Sequence, residues 1–225
     1  MPDFNRVLNV GAYGDGTVNV VIEIPEGSIL KVEWDRKRAA FMIDRVEPQI
    51  FAKPTNYGFI PQTLDEDGDE LDVLVPCAQP IPTGVWLQTK IVGVLNFEDD
   101  GEMDYKIVAV PADDRDSGDS INSLDDLGER WKQKIEHHFA HYKDLKKPGS
   151  TKVLGWGDAS EAKKIIAESI ERWNENRTKE LNEALKLKSE QQDKLRGAND
   201  ITTHPLGGNS ENSQAAETSQ LDPEE

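Results

Sequence analysis

The sequence predicts an α+β protein, mainly β: a closed or nearly closed barrel of short strands, followed by helices and a polar tail. Three observations carry that expectation. Short apolar segments with regularly spaced turns fill the first two-thirds of the chain. Two apolar stripes at helical spacing come next, and after Gly197 the composition changes to Asn, Ser, Gln, Thr, Gly and acids. The aromatic residues, five Trp, six Phe and four Tyr, all lie before residue 175, so the material for a core is concentrated there.

Taken in order, "TVNVVIEIP" (Thr17–Pro25) alternates, and the turn Pro25-Glu26-Gly27-Ser28 leads into "ILKVEWD" (Ile29–Asp35). "AAFMID" (Ala39–Asp44), "LDVLVP" (Leu71–Pro76), "VWLQTKIVGVLNF" (Val85–Phe97) and "YKIVAVP" (Tyr105–Pro111) continue the strand pattern. Asp99-Asp100-Gly101 between the last two is a hairpin signal. Ser123 is the expected N-cap of a helix carrying Leu127, Trp131, Ile135 and Phe139 and ending before Pro148-Gly149. Asp158 with Glu161 has the form of a capping box for a second helix, striped by Ile165, Ile166, Ile170 and Trp173. No Pro or Gly interrupts it before Gly197. The expected organisation is one domain over 1–175, a polar helical extension over 176–196 and a disordered acidic tail over 197–225.

Composition narrows the function. The 43 acids outnumber the 26 Lys and Arg, for a formal charge of −17, which opposes a general phosphate-backbone binder. Such a surface attracts cations and is repelled by anionic membranes, although halophilic adaptation produces the same charge. Cys77 is the only cysteine, set in apolar sequence, so no internal disulfide forms and a packing role is expected. There is no N-terminal apolar h-region and no run near the ~18 residues of a membrane span. A cytoplasmic protein with neither nucleic-acid nor membrane partners is expected.

The stretch "LDEDGDELDVLVP" (Leu64–Pro76) poses the chemical problem. Six of the eight residues from Asp65 to Asp72 are acids, yet they run straight into Val73-Leu74-Val75. Two carboxylates about 5 Å apart, at an effective dielectric near 20, repel by roughly 3 kcal/mol. Either the acids fan out into water as a solvated turn, or cations offset them. An EF-hand fails, because Gly68 as its sixth position puts Thr63 first and Leu74 twelfth. Gly68 allows a bend that can bring Asp67 and Asp69 toward Asp72, a hard-oxygen set suited to Mg2+. "EDDGEMDYK" sets Asp99 and Asp104 on either side of a hairpin turn, and Lys106, two residues beyond Asp104, shares its strand face. Lys31 and Glu33 share another strand face, and Glu23 lies on the strand before. Arg45, Tyr57 of "NYG", and Tyr142 and Lys143 of "HYKDL" complete the candidates. A barrel end that gathers both signs of charge can hold a metal–phosphate complex.

These residues carry a strong resemblance to the soluble, family I inorganic pyrophosphatases over Val7 to Trp173. "DGDELDV" matches the family's Asp-x-Asp-[Pro/Glu]-hydrophobic-Asp pattern in full. "VVIEIP", "LKVEWD", "DRV", "NYGFIPQTL", "VGVL", "DDGEMDYKIVAVP" and "HHFAHYKDL" follow in the family's order. The resemblance implies an OB-like five-stranded closed barrel with flanking helices that hydrolyses pyrophosphate to two phosphates with several Mg2+ ions. It implies Asp67, Asp72, Asp99 and Asp104 as metal ligands, Asp69 as general base with Tyr57 beside it among the catalytic residues, and Lys31, Arg45, Tyr57, Lys106, Tyr142 and Lys143 as phosphate-holding residues. Glu23 and Glu33 match rim acids that place a further metal or its waters. It also implies a homo-oligomer, a hexamer, with the helix bearing His137, His138 and His141 near a subunit contact. One position departs: where the family commonly has Tyr four residues before the Tyr of "NYG", this chain has Lys53. A lysine there either adds a phosphate contact or swings to solvent. The rival readings are a non-catalytic divalent-cation-binding protein and, against the charge, an OB-type nucleic-acid binder.

Overall fold

A computed structural model describes residues 3–116 and 120–200, with side chains through Lys194. Its strands are β1 (Thr17–Ile24), β2 (Leu30–Asp35), β3 (Ala40–Val46), β4 (Asn56–Phe59), β5 (Asp72–Val75), β6 (Trp86–Asp99), β7 (Glu102–Met103), β8 (Lys106–Pro111) and β9 (Thr151–Asp158). Its helices are α1 (Phe4–Val7), α2 (Glu129–His141) and α3 (Ala159–Asp200). The strands β1, β4, β5, β8 and β6 pair in that order, and β6 returns to β1 to close the OB-like barrel. All of these pairs are antiparallel except β5–β8.

Two of the segments read as strands lie outside the ring: β2 and β3 pair only with each other. The strand that fills the ring is β4, whose four residues are all buried and therefore show no alternation. Gly58 is required there, because a Cβ would lie 1.9 Å from the Val21 carbonyl oxygen of β1. β9, unanticipated because Gly155 and Gly157 break its pattern, pairs along the outer half of β6. The wall is apolar on both faces. Val73, Val75, Ile107 and Ala109 join a cluster with Ala162, Ile165 and Ile166 of α3. Leu74, Val108 and Val110 join another with Ile135 and Phe139 of α2. Burial on both sides is why "LDVLVP" and "KIVAVP" read as continuous apolar runs.

The helix starts differ from expectation in detail. Ser123 and Asp126 form a capping box, but on a short 3-10 turn, Leu124–Leu127. Gly128, at φ 80 and ψ 152, cannot continue that turn as helix, so α2 begins at Glu129. Asp158 caps α3 by accepting from the backbone N–H groups of Ser160 and Glu161, both at 2.9 Å. Glu161 does not reach back; it accepts from Asn96 Nδ2 at 3.0 Å. α3 passes Gly197 and runs to Asp200, and the remainder of the expected tail, 201–225, lies outside the described residues. The contacts divide the chain into two compact units, Met1–Thr178 and Lys179–Glu225. In the second, Leu181, Leu185 and Leu187 are each more than half exposed.

Candidate active site

A cavity of about 240 Å³ is lined by Glu23, Lys31, Glu33, Arg45, Tyr57, Asp67, Asp69, Asp72, Asp99, Asp104, Lys106 and Tyr142. Of the residues singled out in the sequence, Lys143 does not line it but pairs with Asp99, which does. Strand register explains the convergence. Lys31 and Arg45 are directly opposed on β2 and β3, and Asp72 and Lys106 on β5 and β8. Tyr57 lies on β4 diagonally across from Asp72, whose direct partner is Phe59. Asp100 and Gly101, at φ 54 and φ 91, make the tight turn between β6 and β7 that puts Asp104 diagonally across from Asp99, whose direct partner is Glu102.

Lys106 is the buried pivot of this cluster, 3% exposed. Its ammonium pairs with both Asp72 and Asp104, and the Tyr57 hydroxyl donates to Asp72. Burial alone depresses a lysine, but these two carboxylates outweigh it and hold the Lys106 pKa above its ordinary value. Asp104 is pushed up by desolvation, with Lys106 opposing and Asp72 adding to the rise. Tyr57 is held well above its ordinary value by burial and by the Asp72 charge. Asp99 accepts from the Tyr142 hydroxyl at 3.0 Å and from Lys143 at 2.5 Å. Burial and Asp99 together raise Tyr142, so both tyrosines are neutral donors across the physiological range.

At the cationic side, Lys31 pairs with Glu33 at 2.5 Å, and Arg45 pairs with Asp44 at 2.7 Å and Glu47 at 2.5 Å. Glu47 was not singled out beforehand, although "RVE" places it two residues from Arg45 and therefore on the same face. Glu23 is buried, accepts the Trp34 N–H at 2.6 Å and thereby ties β1 to β2. Its pKa is raised well above the usual carboxylate range by burial and then by Asp72.

The acidic loop between β4 and β5 is clasped from outside. Gly68 sits at φ 93, as the turn requires, with its N–H donating to the Asp65 carbonyl at 3.2 Å. Arg172 of α3 donates to the Leu64 carbonyl at 2.9 Å and to Asp65 at 3.2 Å, and Arg36 pairs with Glu70 at 2.8 Å. Asp65 is buried, and desolvation raises it to about 6. Among the described residues, Asp67 and Asp69 have no ion-pair partner. Desolvation, then Asp67 and Glu70, raise Asp69 above its ordinary value.

Among the described residues, no three His, Cys, Asp or Glu side chains cluster closely enough to cage a metal by themselves. The expected convergence of Asp67 and Asp69 on Asp72 is therefore looser than a closed cage, with Asp72 turned to Lys106 and Tyr57. The donor set still fits a divalent cation of the Mg2+ type, which takes one or two carboxylates and fills its octahedron with water and phosphate oxygens. His137 and His141, whose rings lie 4.7 Å apart, are outside the cavity lining, and His141 meets Asp144 at 2.8 Å.

A family model described as inorganic pyrophosphatase matches residues 20–174. The chain is 65% identical over 175 residues to an inorganic pyrophosphatase of Haemophilus influenzae, covering 78% of this chain and 99% of that protein. It is 64% identical over 174 residues to one of Neisseria meningitidis, covering 77% and 98%. Among solved structures, an inorganic pyrophosphatase from Neisseria gonorrhoeae superposes with a TM-score of 0.75 at 62% identity, over 76% of this chain and 99% of that one. One from Thermus thermophilus superposes with a TM-score of 0.69 at 40% identity, over 74% and 97%.

Proposed function

The chain belongs to the inorganic pyrophosphatase family and hydrolyses diphosphate to two phosphates with a divalent metal cofactor, and from that premise we propose the residues that carry the reaction and Mg2+ as the ion. The observation that supports the assignment best is the mix of charge in one cavity: Asp67 and Asp69, without an ion-pair partner among the described residues, line it together with Lys31 and Arg45, which are direct cross-strand partners.

Asp67, Asp72, Asp99 and Asp104 would hold the ions, with Glu23 and Glu33 at the rim. Bound there, the ions would supply Lewis-acid neutralisation of phosphate charge and lower the pKa of water toward about 7. Lys106 keeps Asp72 and Asp104 together against their mutual repulsion. Tyr57 orients Asp72, and Tyr142 with Lys143 orients Asp99. Lys31 and Arg45 grip the phosphate oxygens, and Arg45 can do so with two parallel N–H groups. Asp69 accepts the proton of the attacking water as its oxygen bonds to one phosphorus. The bridging P–O bond breaks and the second phosphate departs with the electron pair. Desolvation, with the Asp67 and Glu70 charges beside it, makes Asp69 a stronger base than an isolated aspartate, which suits that task.

The resemblance supports a homo-oligomer, read as a hexamer, and the exposed Met42, Ile43, Val46 and Ile50 on and after β3 offer apolar surface for its contacts. A cytoplasmic placement is supported by the single cysteine. Among the described residues no helix is long and apolar enough to cross a membrane.

Phosphate release from pyrophosphate tests the assignment. With Mg2+ the full chain turns over, and excess chelator abolishes turnover. Asp69→Asn lowers kcat by about 10² to 10⁴ with KM within a few-fold. Wild-type kcat in that variant removes Asp69 from the proton transfer.

A further inference from the structure

Lys53 is the cation of the cavity that the mechanism above leaves unused. Its backbone is fixed on both sides: its N–H donates to the Ser28 carbonyl, and its carbonyl accepts from the Gly27 N–H, both at 2.9 Å. The side chain enters the cavity and does not swing to solvent. Its ammonium lies 4.1 Å from the centroid of the Tyr57 ring, 5.5 Å from Phe139 and 5.8 Å from Tyr142. Among the described residues nothing accepts a hydrogen bond from it and no carboxylate pairs with it. The neighbouring cations differ in this respect: Lys31, Arg45 and Lys106 each have a carboxylate partner.

An ammonium in that position is costly. Three rings compensate for only part of its lost hydration. Desolvation first, then repulsion from Lys106 and Lys31, lower its pKa to about 8, with Asp72 and Glu47 acting the other way. A second unsatisfied group adjoins it: His138 Nε2 is buried without a hydrogen-bond partner, and Lys53 is the foremost charge acting on that ring. The protein thus holds a positive charge over aromatic rings and near other cations, and among the described residues no carboxylate of the cavity comes within ion-pair distance to meet it. A phosphate oxygen satisfies it as a charge-assisted acceptor.

We propose that Lys53 is a further substrate-binding residue, whose ammonium, braced on the Tyr57 ring, closes on an oxygen of the phosphoryl group that Lys31 and Arg45 hold. The inference rests on the assignment of Lys31 and Arg45 to phosphate binding. Where a tyrosine would offer one neutral hydroxyl, the lysine offers a full charge, so it increases affinity for diphosphate and for the product phosphate alike.

The test compares Lys53→Met, Lys53→Arg and Lys31→Met in the full chain at fixed free Mg2+, with far-UV circular dichroism to confirm the fold. KM for pyrophosphate and inhibition by inorganic phosphate are read together, and phosphate binding is measured by calorimetry. Lys53→Met, which keeps the stem on the rings, is expected to raise KM by roughly 10-fold or more and to weaken phosphate binding comparably, with kcat within about 3-fold. Lys53→Arg is expected to restore most of both. Unchanged KM and phosphate binding in Lys53→Met, beside a raised KM in Lys31→Met, overturn the role of Lys53 alone. No change in Lys31→Met either overturns the phosphate-binding assignment and this inference with it. A fall in kcat without a change in KM or phosphate affinity also overturns it, because that pattern belongs to a residue that supports Tyr57 without touching substrate.

Discussion

His138 shows what a single buried side chain does to the molecule. Burial, with Lys53, His137 and Lys134 adding to it, lowers its pKa from 6.5 to about 3, so the folded protein keeps the ring neutral. The unfolded chain takes up that proton below about pH 6.5 and the folded chain does not until about pH 3. Stability from this group is therefore lost on acidification, at up to about 1.4 kcal/mol per pH unit across that window. Asp65, raised to about 6, acts in the opposite sense, gaining stability as pH falls toward the ordinary aspartate value. Urea unfolding of the wild type and His138→Phe separates the two, because Asp65 is common to both proteins. The variant is expected to gain on the wild type by about 2 kcal/mol between pH 6.5 and pH 5; parallel pH curves would mean that His138 titrates normally. Residue-level legibility followed distance along the chain. Asp104 with Lys106, and Lys31 with Glu33, are pairs two residues apart and could be read from strand alternation. The Asp72–Lys106 pair spans 34 residues and exists only because β5 and β8 run parallel in register.

Elements hold the acidic loop where its own sequence cannot. Ser169 and Arg172 of α3 engage Leu64 and Asp65, while Arg36 and Asn5 both reach Glu70, the latter at 2.6 Å. Between these anchors Glu66, Asp67, Gly68 and Asp69 stay exposed, which leaves the carboxylates proposed to meet the ion and the water accessible at the tip of a loop anchored on both sides. Arg172→Ala removes the clasp and leaves Asp65 buried without its cation. The expected outcome is a loss of about 1–3 kcal/mol in urea unfolding and a fall in kcat/KM of about 10-fold. Stability lost without any change in kcat/KM would show that the loop keeps its geometry unaided. Strands with long apolar or alternating runs were legible from their patterns. β4 and β9 were not, because full burial hides the alternation in one and glycines interrupt it in the other. The helix after Ser123 was legible as a helix but misplaced by one turn, since a capping box serves a 3-10 turn as well as an α-helix.

At the scale of the whole molecule, the barrel and its site are complete within the first compact unit, which ends at Thr178. The relatives from Haemophilus and Neisseria are covered to 98–99% of their length by matches of 174–175 residues, and the family model ends at residue 174, short of the stretch beyond Thr178. A chain ending at Thr178 is expected to keep kcat and KM within about 2-fold and its Tm within about 4 °C, the shift that a change of about 1–2 kcal/mol produces in a domain of this size. Thermal melts beside phosphate-release kinetics check this, and lost activity would assign the C-terminal segment a part in the enzyme. The closed barrel and its flanking helices were legible because a fold-wide pattern survives local errors; membership of the ring was not, because β2 reads as clearly as a ring strand while fully buried β4 shows no strand pattern, and only long-range pairing sorts them. That separation has a consequence for change over time. The barrel carries most of the acids, whereas Lys31 and Arg45 ride on a hairpin stitched to it by Glu23 and Trp34. On the roles proposed for Lys31 and Arg45, substitutions in that small appendage would retune the grip on the anion without disturbing the strands that carry Asp72, Asp99 and Lys106.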